Sequence, residues 1–417
     1  MATGTLVDHS LGTAIESTWN VEKTPDHFYE WLDSSGLDLD PNIVQGKGLR
    51  VGSRFPRAGR RVQLIPIGSG HLDFELASKG FGSLLQAAGG TATSTVVAGP
   101  LYQQVITAVT STTTLPTLTC QEGIVRADGN VDAYTWRGCS VMSLEIAVPM
   151  NGIATTKATI DARAGHKTRS VSDGVTNSTT LVTSATANFA PNDVGAVISG
   201  AGITSSPVTT IAAVLSSTNI TLSQAATATA SGVALTIGLA YATPSYPSTP
   251  TLYNSASPSV GALVIGGTLT VPTATALASI AGGTTAIGLK AWTFTLDNGV
   301  DTKRDVLGGR NQSTTGERKG TLKTTIEYDA VTGALLEEAM MNQTQLSLLL
   351  TATTPEVISA GNNATFQIAV PVAAIDKGAI PQPTDGKVVS TDVMWTLLDG
   401  LVSQTLYLVL RTADTAL

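Results

Sequence analysis

Apolar and polar residues alternate along much of the chain, the period of a strand with one buried face. Val62-Gln63-Leu64-Ile65-Pro66-Ile67 and His71-Leu72-Asp73-Phe74-Glu75-Leu76 read this way, as do residues 140–148, 291–296, 321–328, 365–370 and 405–410. Helical spacing occurs in two places. Residues 81–88 carry Leu84, Leu85, Ala87 and Ala88 and stop at Gly89-Gly90; residues 334–342 carry Leu335, Leu336, Ala339 and Met340. Each helix follows strands and precedes more strands. The pattern predicts a mainly β fold of two tandem β-sandwich or barrel domains, each with one flanking helix.

The order of features repeats, which points to an internal duplication. Leu39-Asp40-Pro41-Asn42, a basic stretch, Gly59-Arg60-Arg61, a strand and the first helix form one copy. Leu296-Asp297-Asn298, a basic stretch, Gly316-Glu317-Arg318-Lys319, a strand and the second helix form the other. Asp40 to Gly59 and Asp297 to Gly316 both span 19 positions. The strand-to-helix spacing differs, which the sequence ascribes to an extra turn at Gly68-Ser69-Gly70. Between the copies, short apolar runs at 181–182, 194–198, 208–214, 220–222 and 233–237 predict an inserted small all-β module. A Pro-rich stretch at 243–250 follows. The expected boundaries are 1–165 for the first domain, 166–242 for the insert, 243–285 for a linker and return segment, and 286–417 for the second domain.

Composition sharpens this. Only 13% of the 417 residues are charged, about half the usual share. The formal charge of −7 excludes a basic nucleic-acid binder. Charge is also uneven: between Asp173 and Lys290 the only charged residue is Asp193. Eight acids lie from Asp8 to Asp40; then come Lys47, Arg50, Arg54, Arg57, Arg60 and Arg61 with no acid among them. A second basic loop holds Lys303, Arg304, Arg310, Arg318 and Lys319. Opposite-sign surfaces on one chain can steer identical copies together. The N-terminus lacks a basic and then apolar leader, so synthesis in a cytoplasm is expected. No segment has the ~18 apolar residues of a membrane helix. Cys120 and Cys139 read as a reduced, buried pair.

The chemistry-bearing motifs are weak. His71, Asp73 and Glu75 share a strand face but have no second ligand cluster, so they read as a polar face rather than a metal site. Asp38 to Asn42 resembles the start of a calcium loop, but Ile43 stands where Gly is needed and Leu49 where the bidentate Glu is needed. Gly80-Phe81-Gly82 lacks the third glycine of a dinucleotide loop. Glu337 and Glu338 are adjacent on a helix and do not converge. No catalytic residue, cofactor or metal is expected.

The pattern as a whole resembles the tail tube proteins of long, non-contractile-tailed bacteriophages. The residues that carry the likeness are Leu118-Thr119-Cys120, Trp136-Arg137-Gly138-Cys139 running into Ser140-Val141-Met142-Ser143-Leu144-Glu145-Ile146, and Trp292-Thr293-Phe294-Thr295-Leu296-Asp297-Asn298-Gly299-Val300. Residues 324–341, 393–400 and 405–410 add to it. The resemblance covers about residues 10–165 and 260–417; the insert departs from the core family and is similar to β modules that decorate virion proteins. It implies subunits that place sheets edge to edge in a ring, three chains if the duplication holds and six if not. The rings stack into a tube through which phage DNA passes without sequence-specific binding. Tape measure, tail terminator and distal tail proteins are the further partners it implies, with no membrane. The charge pattern assigns ring-to-ring contact to Lys47, Arg50, Arg54, Arg57, Arg60, Arg61, Lys303, Arg304, Arg310, Arg318 and Lys319, and an acidic lining to the channel. A surface-layer or adhesin-like binding protein is the alternative, and it would need an export signal. A carbohydrate-active enzyme would need more than 5% aromatics.

Overall fold

A computed structural model describes residues 9–417 except 33–34, 49–50, 53, 65, 109–113, 256–258, 287, 303–311, 382–388, 402–403 and 416, with backbone only at 259–262. The first part runs β1 (Ser10–Ile15), β2 (His27–Phe28), β3 (Gly36–Asp40), β4 (Ile43–Gln45), β5 (Arg61–Gln63), β6 (Ile67–Glu75) and α1 (Gly82–Gly89). It continues with β7 (Gly90–Ala98), β8 (Leu101–Ala108), β9 (Leu118–Val125), β10 (Val131–Val148), β11 (Thr155–Ala162) and β12 (Ala164–Lys167). Next come β13 (Arg169–Asn177), β14 (Leu181–Thr183), β15 (Ile198–Gly200), β16 (Ile211–Ser216), β17 (Asn219–Leu222) and β18 (Thr229–Ile237). The last part holds β19 (Ser259–Ile265), β20 (Thr268–Thr270), β21 (Ser279–Ala281), β22 (Thr284–Thr285), β23 (Leu289–Asp297) and β24 (Lys319–Glu327). It ends with α2 (Ala330–Asn342), β25 (Leu346–Ser359), β26 (Asn362–Lys377), β27 (Ser390–Leu397) and β28 (Tyr407–Thr412). The protein is mainly β, as the alternation predicts.

Two long strands organise it. β10 serves two sheets: Val131 to Cys139 pair with β9 and β12, whereas Ser140 to Val148 pair with β11 and β23. The ladder slips between Trp136 and Cys139, where Gly138 takes φ +58, a bulge that bends the strand from one sheet to the other. β26 repeats this, lying between β25 and β28 in its first half and against β27 in its second. Proline at 371 sits at the corresponding slip, where a missing N–H removes no ladder bond.

The pairing runs through the chain twice with the same register. β3-β6-β11-β10 is matched by β23-β24-β27-β26, and β2-β1-β9 by β22-β19-β25. Trp136 lies opposite Cys120 and Cys139 opposite Leu118; Val370 lies opposite Leu348 and Ala373 opposite Leu346. A bulge falls between Val141 and Ser143, and its counterpart falls between Ile375 and Lys377. Leu39-Asp40 and Leu296-Asp297 occupy matching positions, as the sequence motif predicts. Gly59 and Gly316 do not, because the loop after Asp40 is longer than that after Asp297. Gly68 to Gly70 lie inside β6 rather than in an extra turn; the added residues fall after the strand, before α1. The expected linker and return segment contains β19, the counterpart of β1.

The two halves share one sheet. Residues Ser143 to Val148 of β10 pair with Asp297 to Trp292 of β23, making an internal seam. The continuous order is β3-β6-β11-β10-β23-β24-β27-β26, and the sheet system curls into a half-barrel. The segment after β2 reaches β6 through the Trp31–Phe74 bridge, so the first half closes on itself as a barrel, while among the described residues the long run keeps open edges at β3 and at the end of β26. One face of this eight-stranded run is apolar. Leu72, Phe74, Leu144, Ile146, Phe294, Leu322 and Trp395 are buried there beneath the helices, Leu84 and Leu85 coming from α1 and Leu336 from α2. The hairpin β7–β8 crosses over to pair with β28.

The insert, β13–β18, forms its own six-stranded sheet around Val182, Phe189, Ile198, Ile211, Ile220 and Leu235. Hydroxyls clothe it in place of charge, as its composition demands.

Candidate functional site

Residues opposite one another across a ladder share a face. The second face of the eight-stranded run is therefore polar. Across it run Glu75-Thr155-Ala147-Thr293-Lys323-Met394 and Asp73-Lys157-Glu145-Thr295-Thr321-Thr396. Its acids include Asp38, Asp40, Asp73, Glu75, Glu145, Asp297, Glu327 and Asp392, and its lysines include Lys157, Lys319, Lys323 and Lys377, with Lys290 3.4 Å from Glu327. Lys323 pairs with Asp392 at 2.7 Å, and Asp73 lies 3.6 Å from His71 and 3.8 Å from Lys157. Acids remain in excess. His71, Asp73 and Glu75 belong to this face, and no cluster able to hold a metal is found among the described residues.

The basic run forms an arm. β4 and β5 pair as a hairpin beyond β3 and β6, and Lys47, Arg54, Arg57, Arg60 and Arg61 are all exposed on it. Ile43, Val44, Val62 and Leu64 are also about half exposed there, so apolar side chains accompany the charges. Arg50, Lys303, Arg304 and Arg310 lie outside the described residues. Lys319 starts β24 on the polar face. Arg318 turns inward, contrary to its reading as a contact residue: its guanidinium donates to Ala88 O at 2.8 Å, Gly89 O at 3.0 Å and Asn298 Oδ1 at 2.9 Å. The carbonyls at the end of α1 are left over by the helix, and a cation there satisfies them. Buried Asn298 joins in, donating to Ala88 O and Val141 O.

Among the described residues the eight-stranded run ends in an open edge on each side. Among the described residues nothing pairs with the outer side of β3, where the Leu37 amide donates to Glu122 Oε1 at 2.9 Å and the Leu39 amide to Asp38 Oδ1 at 2.8 Å. Burial raises the Glu122 carboxyl above its ordinary value. At the far end, β26 stops at Lys377, the position matching Ser143, where the internal seam begins. Gly378 then turns at φ +93.

The joint to the insert holds charged groups that pattern reading missed. Arg137 is fully buried; it donates to Glu22 Oε1 at 2.9 Å, to Val194 O at 2.7 Å and to Asn192 O. Glu22 accepts in turn from the Val197 amide at 3.1 Å. His166 Nδ1 lies 2.9 Å from Arg137, and Arg169 grips Asp193 through both carboxylate oxygens. Burial raises Glu22 to about 7 despite Arg137, and burial with the Arg137 charge lowers His166 to about 3. The one signal in the sequence was Arg137 itself, a charge set between Trp136 and the Gly138-Cys139 pair. Cys120 and Cys139 are free and buried side by side, and burial raises the Cys139 thiol well above its usual value.

The described residues thus present a polar sheet face, a basic arm and open strand edges. A family model described as phage tail tube protein matches residues 7–224, and the chain belongs to that family. Its members are structural virion proteins, which places this chain in the phage tail. The matched span runs through most of the insert, which sequence reading had set outside the core family. Residues 225–417 lie beyond the match, and within them the strand register of the first half recurs. A search of curated proteins finds no match.

Proposed function

We infer that this protein polymerises as rings of three chains that stack into the phage tail tube and enclose the channel for DNA ejection. The observation that carries the reading is the internal seam between β10 and β23. One chain already contains two tube modules joined edge to edge, so three chains supply six modules. Open edges template further pairing, and cyclic closure removes them. The polar, acid-rich face then lines the channel. DNA carries one charge per ~1.7 Å of duplex axis, and a wall of the same sign lets it slide rather than grip. The insert faces outward as decoration. Lys47, Arg54, Arg57, Arg60 and Arg61 on the arm meet the next ring, joined by the loop holding Lys303, Arg304 and Arg310; Arg318 is committed to α1 and drops out of this set.

Electron microscopy of the purified protein tests this. Stacked rings with a central hole and three-fold symmetry are expected, and six identical modules per ring or isolated monomers would overturn it. Reversing Arg54 and Arg57 to Glu should leave single rings but shorten or abolish tubes. Tubes of parental length from that variant would remove the arm from the ring-to-ring contact.

A further inference from the structure

The internal seam gives a residue-level template for the joint between chains. Its first pair is Ser143 opposite Asp297, then Leu144 opposite Leu296, Glu145 opposite Thr295 and Ile146 opposite Phe294. The repeated register converts each position. Ser143 corresponds to Lys377, because each follows the bulge and faces the same point of its neighbour, Thr159 or Met394. Asp297 corresponds to Asp40, because Asp40 faces Ile67 as Asp297 faces Lys319. Phe294 corresponds to Leu37 by the same ladder.

We propose that residues 377–381 of one chain add as a strand to the free edge of β3 in the next chain, with Lys377 opposite Asp40 and Ile380 opposite Leu37. This rests on the ring reading above and names the surfaces that close the ring. Three observations support it. The pair Lys377 and Asp40 is opposite in charge, both side chains are exposed, and directly opposed unlike charges stabilise a cross-strand pair. Ile380 is 56% exposed, whereas Ile146, its counterpart at the seam, is fully buried. The outward amides of β3 are those of Leu37 and Leu39, so Pro381, falling opposite Gly36, faces no amide that needs a partner on that side.

In the free chain this strand is not yet formed. The turn at Gly378 buries Ala379 and exposes Ile380, the reverse of the alternation at the seam. Glycine permits both that turn and the extended form. Docking therefore straightens residues 378–381 and swings Ile380 to the apolar face beside Leu37. It also displaces Glu122, which holds the Leu37 amide meanwhile. The matching position in the second half is Leu350, beside an edge that β10 already covers.

A charge swap and a cross-link test the register. Lys377→Asp and Asp40→Lys should each raise the concentration needed for ring assembly about ten-fold per joint, and the double reversal should restore it. In the double variant Lys377→Cys with Asp40→Cys, oxidation should link chains into a ladder that ends at three. Residues facing each other in such a pair bring Cα atoms to about 4.5 Å, within disulfide reach. Parental rings together with normal assembly of both single reversals and no cross-link would overturn this joint and leave the ring reading standing. No rings from the parent would overturn both.

Discussion

His166 is a neutral ring held between two opposite charges, Arg137 and Glu22, with Asp193 and Arg169 behind it. The unfolded chain binds its proton near 6.5, and the folded chain only near 3. Stability at this joint is therefore lost as the pH falls through that window. Glu22 works in the other direction: its carboxyl is raised to about 7, so its contribution is complete below 4.5 and fades as the pH rises toward 7. His166→Gln separates the two. The variant should gain on the parent by up to about 1.4 kcal/mol per pH unit as the pH drops from 6.5 toward 4, read by urea unfolding. A stability difference independent of pH would contradict the assignment. A second residue-scale expectation concerns Glu122. Replacing it with Leu leaves the Leu37 amide unguarded, so the lag before assembly should shorten in light scattering. An unchanged or longer lag would show that the carboxylate does not protect the edge.

At the scale of elements, the sequence was most readable where large apolar residues alternate. Residues 140–148, 291–296 and 365–370 all fall in strands, as does 321–328 up to Glu327, and both helices form where expected, α2 starting earlier because Asp329 accepts from the Val331 and Thr332 amides. The rest was hidden for physical reasons. β7 alternates Thr and Ala on an edge with one side open, so no large side chain announces it. The first half of β10 is masked by Arg137 and Gly138, the buried charge and the bend that carry it between sheets. Of the candidate site, the basic arm was legible because charge is local in sequence. The seam and the open edges were not, since they depend on which strands end as neighbours. Phe294 tests how firmly the seam couples the halves. It is fully buried opposite Ile146, and Phe294→Ala should cost about 3–5 kcal/mol. The loss should appear in one cooperative thermal transition; two separated transitions would mean that the halves fold independently.

At the scale of the whole molecule, the insert is docked rather than dangling. Arg169 and Ile237, at its two ends, are cross-strand neighbours, so residues 169–237 can be excised and bridged by a short loop. That deletion removes Asn192 O, Val194 O and the Val197 amide from the buried pair Arg137–Glu22. The deleted chain should be less stable than the parent in calorimetry and should still build tubes. Adding Arg137→Met and Glu22→Leu should recover part of the loss, because removing both members of a buried pair costs less than stranding them. Failure of the deleted but folded chain to form tubes would place the insert at a contact rather than outside.

In the ring of three chains proposed above, the β10–β23 seam decides how the ring is born. Half of its joints are made during folding, by a neighbour tethered on the same polypeptide. Only three bodies then have to find one another, and each encounter avoided spares an association cost of about 4–15 kcal/mol. The tether also frees the two modules to diverge. The insert and the β7–β8 hairpin occur in the first half only, so a three-chain ring displays its ornament at every second position, 120° apart. The tube surface proposed here is then three-fold even though its wall is built from six near-equivalent pieces.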